Sequence, residues 1–518
     1  MSRAMDVTWL VFKKELLPIM RSLLLVLTIL LSSVSLGAQE APHAKNVILL
    51  IGDGLGAAQT AFGLHYANMV EGRKLHLEAL MDDGNTGYSM PIPYLSTVID
   101  SAAAASQLAT GRKARNETLS LSPDGYVVET VLEAAKRRGL ATGLVSNMRL
   151  SHATPAAFAA HQISRYNPEP AIMDDVLTGY DVDVLLGGGA RALVPSGRRV
   201  SEFLPGIVDK LDGDSNRKDE VNRIAEAKAK GYVVVSDRTG LAEASPKADK
   251  LLGLFAASHL PYVLDTRAMG LESVPSLKDM TQAALDMLSR TGNGFFLMVE
   301  GGRIDYAGHD NDAGTMLHEI LDFDEALGAV LDFEARHPDT LVIVTADHGT
   351  GGFSFSYGDF NGRPPGWELP SGLGYAPHHS YPTREQLVAL GRQSASYLYI
   401  LDEAKGSPES LVEEVRAHTG FEMTIEEARK ALVRDADGKA GIEDFSQFYQ
   451  DQASNPACLL GRRLARHTFV VWATGGHTME PILTFGRGPG AEMLRGVYEN
   501  THVYDVAMKV LQHYSGGC

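Results

Sequence analysis

The stretch Asn46-Val-Ile-Leu-Leu-Ile-Gly-Asp-Gly54 decides the fold class. Val47–Ile51 is a continuous apolar run with the length and β-branched content of a strand buried on both faces. Glycines on either side of Asp53 place that aspartate in a turn directly after the strand. Ligands of open α/β sheets bind at this edge, beyond the carboxyl ends of the strands. The stretch therefore predicts a buried parallel strand with a polar site at its end.

The same pattern recurs along the chain, where short apolar runs alternate with helical patterns. This alternation predicts an α/β protein with a mostly parallel central sheet and helices on both faces. The predicted strands are Val47–Ile51, Ala141–Ser146, Val182–Leu186, Tyr232–Ser236, Gly253–Ala256, Phe295–Val299 and Leu341–Thr345. The predicted helices include Val127–Arg138, Pro155–Ser164, Leu277–Arg290 and Ala313–Ala335. Polar residues follow three of the strands, and these are Asp53, Glu300 and Asp347-His348.

The charge balance of the chain is strongly acidic. Its 518 residues carry 47 Lys and Arg against 64 Asp and Glu, a formal net charge of −17. Such a balance argues against a nucleic-acid partner bound through a basic face. It does not exclude an anionic substrate, because charges more than about 8–10 Å away are largely screened in physiological salt.

The N-terminus has the pattern of a signal peptide. The apolar run Leu23–Val34 follows Arg21 and, further back, Lys13 and Lys14, and small residues at 35–38 offer a cleavage site near 37 or 38. An uncleaved anchor is the alternative, although the run is short for a bilayer span of about 20 residues. Met20 is a second candidate start. We predict a signal peptide over 1–37, export to the periplasm or the medium, and no stable membrane insertion after cleavage.

A catalytic domain is expected over 38–518, with an inserted cap-like region at about 351–466. The insertion is rich in Gly, Pro, Tyr and Ser and then helical, at Pro408–His418 and Thr424–Val433. It is expected to cover the site mouth or to build an oligomer interface. Within it, 435–446 lacks the glycine and the final glutamate that a calcium loop requires, so an Asp-Gly turn is predicted instead. Cys458 and Cys518 could form a disulfide after export, and their spacing alone does not decide this.

A serine follows an aspartate at Asp100-Ser101, ahead of four alanines. Small residues that open a helix leave the serine hydroxyl beside unpaired backbone N–H groups, where an anion can bind. A helix N-cap is the ordinary alternative for such a residue. The acidic and imidazole groups elsewhere in the chain strengthen the interpretation of Ser101 as a functional residue.

Three aspartates and three histidines form the candidate metal ligands. Asp305 and His309 are four residues apart, so on a helix both side chains point the same way. Mixed Asp/His ligation suits Zn²⁺, whereas carboxylate and hydroxyl ligands suit Mg²⁺. The candidates are Asp53, Asp305, Asp347, His309, His348 and His477.

These motifs, in this order, resemble the alkaline phosphatase family. The resemblance covers about Asn46 to Gln512, except most of the insertion. The motifs that carry it are 46–54, Asp100-Ser-Ala-Ala, Thr110-Gly111, Ala153-Thr-Pro-Ala-Ala157, Ser164-Arg165, Val299-Glu-Gly-Gly-Arg-Ile-Asp305, Thr345-Ala-Asp-His348 and Gly476-His-Thr478. It implies a metal-dependent phosphomonoesterase that works through a phosphoserine, acts on small phosphate monoesters and forms a homodimer.

The resemblance also implies a role for each site residue. Ser101 is the implied nucleophile, and Arg165 is the implied phosphate ligand, steered by Asp100. Two Zn²⁺ and one Mg²⁺ per subunit are implied, the third site being open to Zn²⁺ as well. The zinc sites would use Asp305, His309 and His477, and Asp53, Asp347 and His348; the magnesium site would use Asp53, Thr154 and Glu300, with His152 close by.

Two positions depart from some members of the family. His152 occupies the position where certain bacterial members have Asp. For this reason the sequence does not decide between Mg²⁺ and Zn²⁺ in the third site. Tyr306 follows Asp305 where relatives have Lys, His or Trp. A phenol does not supply the charge of a lysine, so we expect phosphate to be held more weakly and released faster.

Other functions on the same fold are less compatible with the sequence. Sulfatases need a Cys/Ser-x-Pro-x-Arg setting, and Ser101 is followed by alanines. Phosphodiesterase relatives commonly use a threonine nucleophile and usually lack the arginine; a phosphodiesterase or nucleotidase preference remains the enzymatic alternative. The non-enzymatic alternative is a protein that binds phosphate or metal without turnover.

Overall fold

A ten-stranded sheet lies at the centre of the molecule. The computed structural model describes residues 43–359, 364–433 and 457–512. The strands are β1 Asn46–Gly52, β2 Thr86–Met90, β3 Ala141–Arg149, β4 Val184–Gly188, β5 Val233–Val235, β6 Leu251–Leu254, β7 Phe295–Gly301, β8 Thr340–Ala346, β9 Gly349–Thr350, β10 Ser354–Phe355, β11 Trp367–Glu368, β12 Gly374–Tyr375, β13 Val470–Val471, β14 His477–Thr478, β15 Ile482–Arg487 and β16 Gly496–Glu499. Across the main sheet the order is β16-β2-β15-β8-β1-β7-β3-β4-β6-β5.

Most neighbouring strands of this sheet are parallel. β1 pairs in parallel with both β7 and β8, and the parallel pairing continues through β3, β4 and β6 to β5. β15 is antiparallel to β8 and to β2. The predicted fold class, a mostly parallel sheet, is therefore confirmed.

The register of the three central strands brings their carboxyl ends level. Gly52 of β1 lies opposite Gly301 of β7 and Ala346 of β8. All seven residues of β1 are buried, as a strand between two parallel neighbours requires. The residues at or just beyond these ends, Asp53, Glu300 and Asp347, consequently meet at one edge of the sheet.

Helices cover both faces of the sheet. The helices are α1 Ala57–Tyr66, α2 His76–Asp82, α3 Ser101–Thr110, α4 Val131–Arg137, α5 Ala153–Ala156, α6 Glu169–Thr178, α7 Arg223–Ala229, α8 Arg238–Ala244, α9 Val263–Ala268, α10 Leu277–Leu288, α11 Arg303–His309, α12 Ala313–Arg336, α13 Arg384–Gly391, α14 Tyr397–Ala404, α15 Pro408–Thr419, α16 Ile425–Ala431, α17 Ala457–Thr468 and α18 Thr501–Gln512. Side chains of α1, α10 and α12 share one core, and those of α3, α4 and α18 share the other. Ile48 and Leu50 of β1 point into the first core, whereas Val47, Leu49 and Ile51 point into the second.

Several predicted elements have other bounds in the structure: the helix expected over Val127–Arg138 begins at Val131, and the strand expected over Val182–Leu186 runs from Val184 to Gly188. Two further differences have a clear cause. The helix expected over Pro155–Ser164 is wrong beyond α5, because Gln162 exchanges two backbone hydrogen bonds with Leu119 and leaves the helical path. The strand expected at Gly253–Ala256 begins two residues earlier, as Leu251 and Leu252 pair with β4. Both errors come from pairing partners far away in the chain.

The region 351–466 contains short strands followed by α13 to α17, with a small hydrophobic core of its own. That core includes Tyr397, Ile400, Leu411, Val415, Cys458 and Leu460. Cys458 is buried, and its thiol donates to the backbone oxygen of His309 at 2.8 Å. The role of the region as a cap or an interface stays a prediction.

Three of the sequence predictions fall outside the described residues. These are the signal peptide over 1–37, the Asp-Gly turn at 435–438 and the Cys518 end of the possible disulfide. Among the helices that are described, none is long and apolar enough to cross a membrane.

Candidate active site

Ser101 is the first residue of α3 and is almost fully buried. Asp100 caps the helix by accepting a hydrogen bond from the Ala103 N–H at 2.9 Å. The alanines that follow are completely buried against neighbouring elements, so larger side chains would not fit there. This packing holds the serine hydroxyl at the carboxyl edge of the sheet, where Ser101 Oγ lies 3.1 Å from His348 Nε2.

A first cluster of ligand atoms lies next to that serine. Asp53, Asp347 and His348 each offer an atom within 4.8 Å of the others. His348 Nε2 lies 3.1 Å from Asp347 Oδ2 and 3.6 Å from Asp53 Oδ1. The other oxygen of Asp347 accepts from the N–H groups of Gly54 and His348, which orients the carboxylate and turns Oδ2 toward the cluster.

The second cluster is centred on Asp305 and His477, whose ligand atoms lie within 4.8 Å of each other and of His348, and the predicted ligand His309 is in contact with both. α11 places Asp305 and His309 on one helical turn, with His309 Nε2 at 3.1 Å from Asp305 Oδ2. His477 Nε2 lies 3.2 Å from His309 Nε2 and 3.6 Å from Asp305 Oδ1. The rings of His477 and His348 stack at 3.6 Å, so the first and second clusters are contiguous.

Backbone carbonyls set the tautomers of two histidines in the second cluster. His309 Nδ1 faces the Gly475 oxygen, and His477 Nδ1 faces the Ile99 oxygen at 3.0 Å. A carbonyl can only accept, so each Nδ1 carries a proton, and each ring in its neutral form presents an Nε2 lone pair. Burial opposes the charged form of His309, but Asp305 outweighs it and raises the pKa of His309 to about 9, so without a metal its Nε2 also holds a proton, which a bound cation would replace. This arrangement is typical of histidines that bind a metal.

The third cluster consists of Asp53, His152 and Glu300, with Thr154 beside them. Ser146 on β3 lies opposite Glu300 in the sheet and donates to its Oε2. The remaining oxygen, Glu300 Oε1, has no hydrogen-bond partner within the described part of the chain. The same holds for Thr154 Oγ1 and His152 Nδ1.

The unpartnered atoms fit divalent cations. Buried polar groups are rarely left without partners, yet both oxygens of Asp53 and Asp347 Oδ2 have none among the described residues. Burial, with repulsion from Asp347 and Asp305, raises the pKa of Asp53 well above its usual range. Burial also raises the pKa of Glu300 to about 7. Cations would satisfy these oxygens and remove the repulsion, so the residues present fit a metal centre.

Arg165 lies beside the serine and the third cluster. Its guanidinium donates to Asp100 Oδ2 at 3.1 Å and contacts His152 Nε2 at 3.1 Å. Burial opposes ionisation of Asp100, but Arg165 and the N–H groups of Ala103 and Glu117 outweigh it and lower the pKa of Asp100. The ion pair therefore fixes the arginine beside Ser101.

The structure brings every site residue predicted from the sequence into one region, including Tyr306, which follows Asp305 on α11. Tyr306 packs against the rings of His152 and His309, at 5.8 and 6.3 Å between centroids. Its hydroxyl lies 3.3 Å from His259 Nε2. The phenol is thus engaged by a neighbouring imidazole, and the predicted roles of these residues remain predictions.

Sequence reasoning missed three polar residues at the site. Ser146 could have been found only from the register of β3 and β7, and nothing in the sequence marks His259, which follows β6. Thr350 lies three residues after Asp347, and its hydroxyl donates to Asp305 Oδ1. Its closeness to Asp347-His348 was the available signal.

Known proteins are similar to this chain in sequence and in architecture. The alkaline phosphatase family profile matches residues 44–513. Alkaline phosphatase 3 of Bacillus subtilis (strain 168) is 33% identical over 525 residues, covering 97% of this chain and 98% of that protein. Streptomycin-6-phosphate phosphatase of Streptomyces griseus is 37% identical over 365 residues, covering 63% of this chain and 78% of that protein. The crystal structure of Thermus thermophilus alkaline phosphatase is similar with a TM-score of 0.77 at 31% identity, covering 93% of this chain and 95% of that one.

The fold and the buried clusters are those of a metal-binding hydrolase. The chain belongs to the alkaline phosphatase family. It is an enzyme, and the family acts on phosphate esters.

Proposed function

We propose that this enzyme hydrolyses phosphate monoesters to an alcohol and inorganic phosphate through a phosphoserine at Ser101. The observation that carries the proposal is the position of Ser101 Oγ, 3.1 Å from His348 Nε2 and beside the ligand cluster that contains His348. A serine hydroxyl is a weak nucleophile unless a neighbouring group or a metal activates it. The clusters and Arg165 supply the surroundings that a phosphate dianion needs.

The proposed metal complement is two Zn²⁺ and one Mg²⁺ per subunit, with Zn²⁺ as the alternative in the third site. The zinc ligands would be Asp305, His309 and His477 in one site and Asp53, Asp347 and His348 in the other. Asp53, Thr154 and Glu300 would hold the third ion, with His152 next to it. When bound, the metals supply positive charge that stabilises the attacking and leaving oxygens and lowers the pKa of the nucleophile.

The residues of the chain would perform the remaining steps. Arg165 donates two parallel hydrogen bonds to non-bridging oxygens of the phosphate, and Asp100 holds it in place. Ser101 Oγ attacks phosphorus, the ester P–O bond breaks, and the alcohol leaves with a proton. A water molecule then attacks the phosphoserine, which breaks the Ser101 Oγ–P bond and frees phosphate.

Charge accounting supports a need for the metals. Five carboxylates (Asp53, Asp100, Glu300, Asp305 and Asp347) stand against one guanidinium, that of Arg165. In their metal-free ionised form they would repel a phosphate dianion. Three divalent ions would reverse the sign of the site, so we expect metal-free protein to bind phosphate poorly.

Small phosphate monoesters are the proposed substrates. The Streptomyces griseus relative is named for streptomycin-6-phosphate, which is a phosphate monoester, and that name supports the proposed substrate class. The net charge of −17 gives no support to a nucleic-acid substrate bound through a basic face. Export through the segment 1–37, a periplasmic or secreted location, and a homodimer complete the proposal.

The substitution Ser101→Ala tests the proposed function. We expect it to abolish hydrolysis of 4-nitrophenyl phosphate while the zinc and magnesium content, measured by mass spectrometry of the metals, stays the same. Ser289→Ala is a matched control, because Ser289 is exposed and lies just before the amino end of β7, away from the site. Retained hydrolysis in the Ser101 variant would contradict the phosphoserine route. A higher kcat/KM for bis(4-nitrophenyl) phosphate would favour a phosphodiesterase.

A further inference from the structure

A patch of positively charged and aromatic side chains lies next to Arg165. The rings of His152, His259 and Tyr306 pack against one another, with centroids 5.1 to 5.8 Å apart. Arg165 contacts His152 on one side of these rings, and the Arg149 guanidinium contacts His259 Nε2 on the other. The patch is therefore continuous with the residue that would hold the phosphate.

Arg149 has an incomplete set of partners. Its Nε is buried with no hydrogen-bond partner in the described ranges. The nearest carboxylate, Glu169, lies 3.9 Å away and is taken up by Arg191, which donates to Glu169 Oε2 at 2.7 and 2.9 Å. Arg149 keeps 23% of its side chain exposed, so a ligand can reach it. The positive charge of Arg149 therefore has no carboxylate in close contact among the described residues.

Arg303 adds a second guanidinium to the same region. It stacks over the Tyr262 ring at 3.9 Å and lies 5.2 Å from the Tyr306 ring. The residue is 9% exposed, and its Nε has no hydrogen-bond partner within the described residues. The carboxyl groups of Asp265 and Glu319 are near enough to interact with Arg303, but its buried Nε–H has hydrogen-bonding capacity left for a ligand.

Three guanidinium groups, those of Arg149, Arg165 and Arg303, lie around the rings of this patch. The patch is positive although the whole chain carries a net charge of −17.

We propose that Arg149, with Arg303 and the Tyr306 hydroxyl, forms a second anion subsite that binds a negatively charged group on the alcohol half of the ester. The subsite rests on the proposed function, because Arg165 would hold the phosphate that is cleaved. Arg149 would donate to a carboxylate or to a second phosphate of the same substrate. The preferred substrates are therefore phosphate monoesters whose alcohol is itself an anion.

Two esters that differ in one group test the subsite. Glycerol 3-phosphate has a neutral hydroxymethyl end, whereas 3-phosphoglycerate has a carboxylate at that position. The wild-type enzyme should show the higher kcat/KM for 3-phosphoglycerate. Arg149→Gln should lower the ratio of the two kcat/KM values about tenfold, the effect of one charge-assisted hydrogen bond. Arg149→Lys keeps the charge and should retain part of the preference.

Lys278→Gln is the matched control, because it removes one positive charge from an exposed ion pair with Glu325 and should leave the ratio unchanged. A ratio that stays the same in folded Arg149→Gln protein, or that falls equally in the control, would overturn the subsite while the proposed function stands. Circular dichroism of each variant checks the fold. If Arg149→Gln does not fold, the ratio of the two kcat/KM values in Arg149→Lys tests the subsite instead. Wild-type protein that hydrolyses neither ester would overturn the proposed function and the subsite with it.

Discussion

Thr350 connects two of the ligand clusters through one hydroxyl group. Its Oγ1 donates to Asp305 Oδ1 in the second cluster and lies 3.3 Å from His348 Nδ1 in the first. Because the ionised carboxylate can only accept, the hydroxyl oxygen is free to accept from the imidazole. In the neutral ring, a proton on Nδ1 leaves His348 Nε2 without one and able to bind a cation; partners behind metal ligands commonly orient them in this way.

We predict that Thr350→Val weakens zinc binding about 10- to 100-fold, because valine keeps the shape but loses the hydroxyl. Thr350→Ser should bind zinc nearly as the wild type does. Equilibrium dialysis with Zn²⁺ measures the effect independently of activity. Thr281→Val, which removes a buried hydroxyl from α10, is the control. Unchanged affinity in Thr350→Val would show that the hydroxyl does not position the ligands.

We expect Tyr306 to influence how firmly the product phosphate is held. A phenol next to Asp305 brings no positive charge to the phosphate, so the substitution Tyr306→Lys should tighten inhibition by inorganic phosphate. We expect about a tenfold lower inhibition constant, equivalent to roughly 1.4 kcal/mol. Tyr306→Phe keeps the ring without adding charge and should not tighten inhibition. No tightening in the lysine variant would refute this role.

At the scale of elements, β3 supports the site through consecutive residues at its carboxyl end. Ser146 donates to Glu300, and Asn147 Oδ1 accepts from the Gly302 N–H at 2.8 Å. Arg149 ends the strand at the proposed anion subsite. One strand therefore aligns the turn after β7, the third cluster and the arginine patch.

The long helix α12 is tied to this turn through a buried acid. Glu319 accepts from the Val263 N–H at 2.7 Å and from Asn147 Nδ2 at 3.4 Å. Burial and the neighbouring Asp322 carboxylate raise the pKa of Glu319 to about 8, from an ordinary value of 4.5. The folded state thus favours the protonated carboxyl. Its contribution to stability is complete below about pH 4.5 and is lost as the pH rises through 8.

Glu319→Gln should remove this pH dependence. Relative to the wild type, we expect the variant to gain on the order of 3 kcal/mol in unfolding free energy between pH 5 and pH 9. Urea unfolding of both proteins at the two pH values measures the difference. Glu325→Gln on the same helix is the control, because Glu325 is 45% exposed and lies in a surface ion pair. If the unfolding free energies of Glu319→Gln and the wild type change equally with pH, Glu319 is not the source of the pH dependence.

On the scale of the whole molecule, the ligand clusters join distant segments of the chain. The second cluster brings α11 to His477, 168 residues further on, and the first brings Asp53 to Asp347. Without cations these buried carboxylates repel one another. A metal that binds only the folded state therefore stabilises the entire domain.

Removal of the metals should lower the midpoint of thermal unfolding by on the order of 10 °C, because each tightly bound ion adds a few kcal/mol. Differential scanning calorimetry before and after dialysis against a chelator measures the shift, and restored zinc and magnesium should reverse it. In Asp53→Asn the metal-free protein carries less repulsion, so the shift should be smaller. An identical midpoint with and without chelator would argue against a structural role for the metals.

Much of the fold and the composition of the site were predictable from local sequence. The apolar runs of β1, β7 and β8 indicated buried parallel strands, and polar residues at their ends indicated the edge where the site lies. The sequence alone did not place the end of the helix expected over Pro155–Ser164, because Gln162 pairs with Leu119, 43 residues earlier in the chain. A local helical pattern does not persist where hydrogen bonds to a distant segment stabilise another backbone path.

The sequence by itself determined the α/β class, the family and the set of chemically active side chains, because these depend on residue type and spacing. Only the tertiary structure decided which groups are neighbours. Three features depend on segments that meet through strand register and packing: the Thr350 bridge, the tautomers set by the carbonyls of Gly475 and Ile99, and the Arg149 Nε–H that lacks a hydrogen-bond partner among the described residues. Hydrogen bonds and ion pairs act over a few ångströms, and residue order along the chain does not specify those distances.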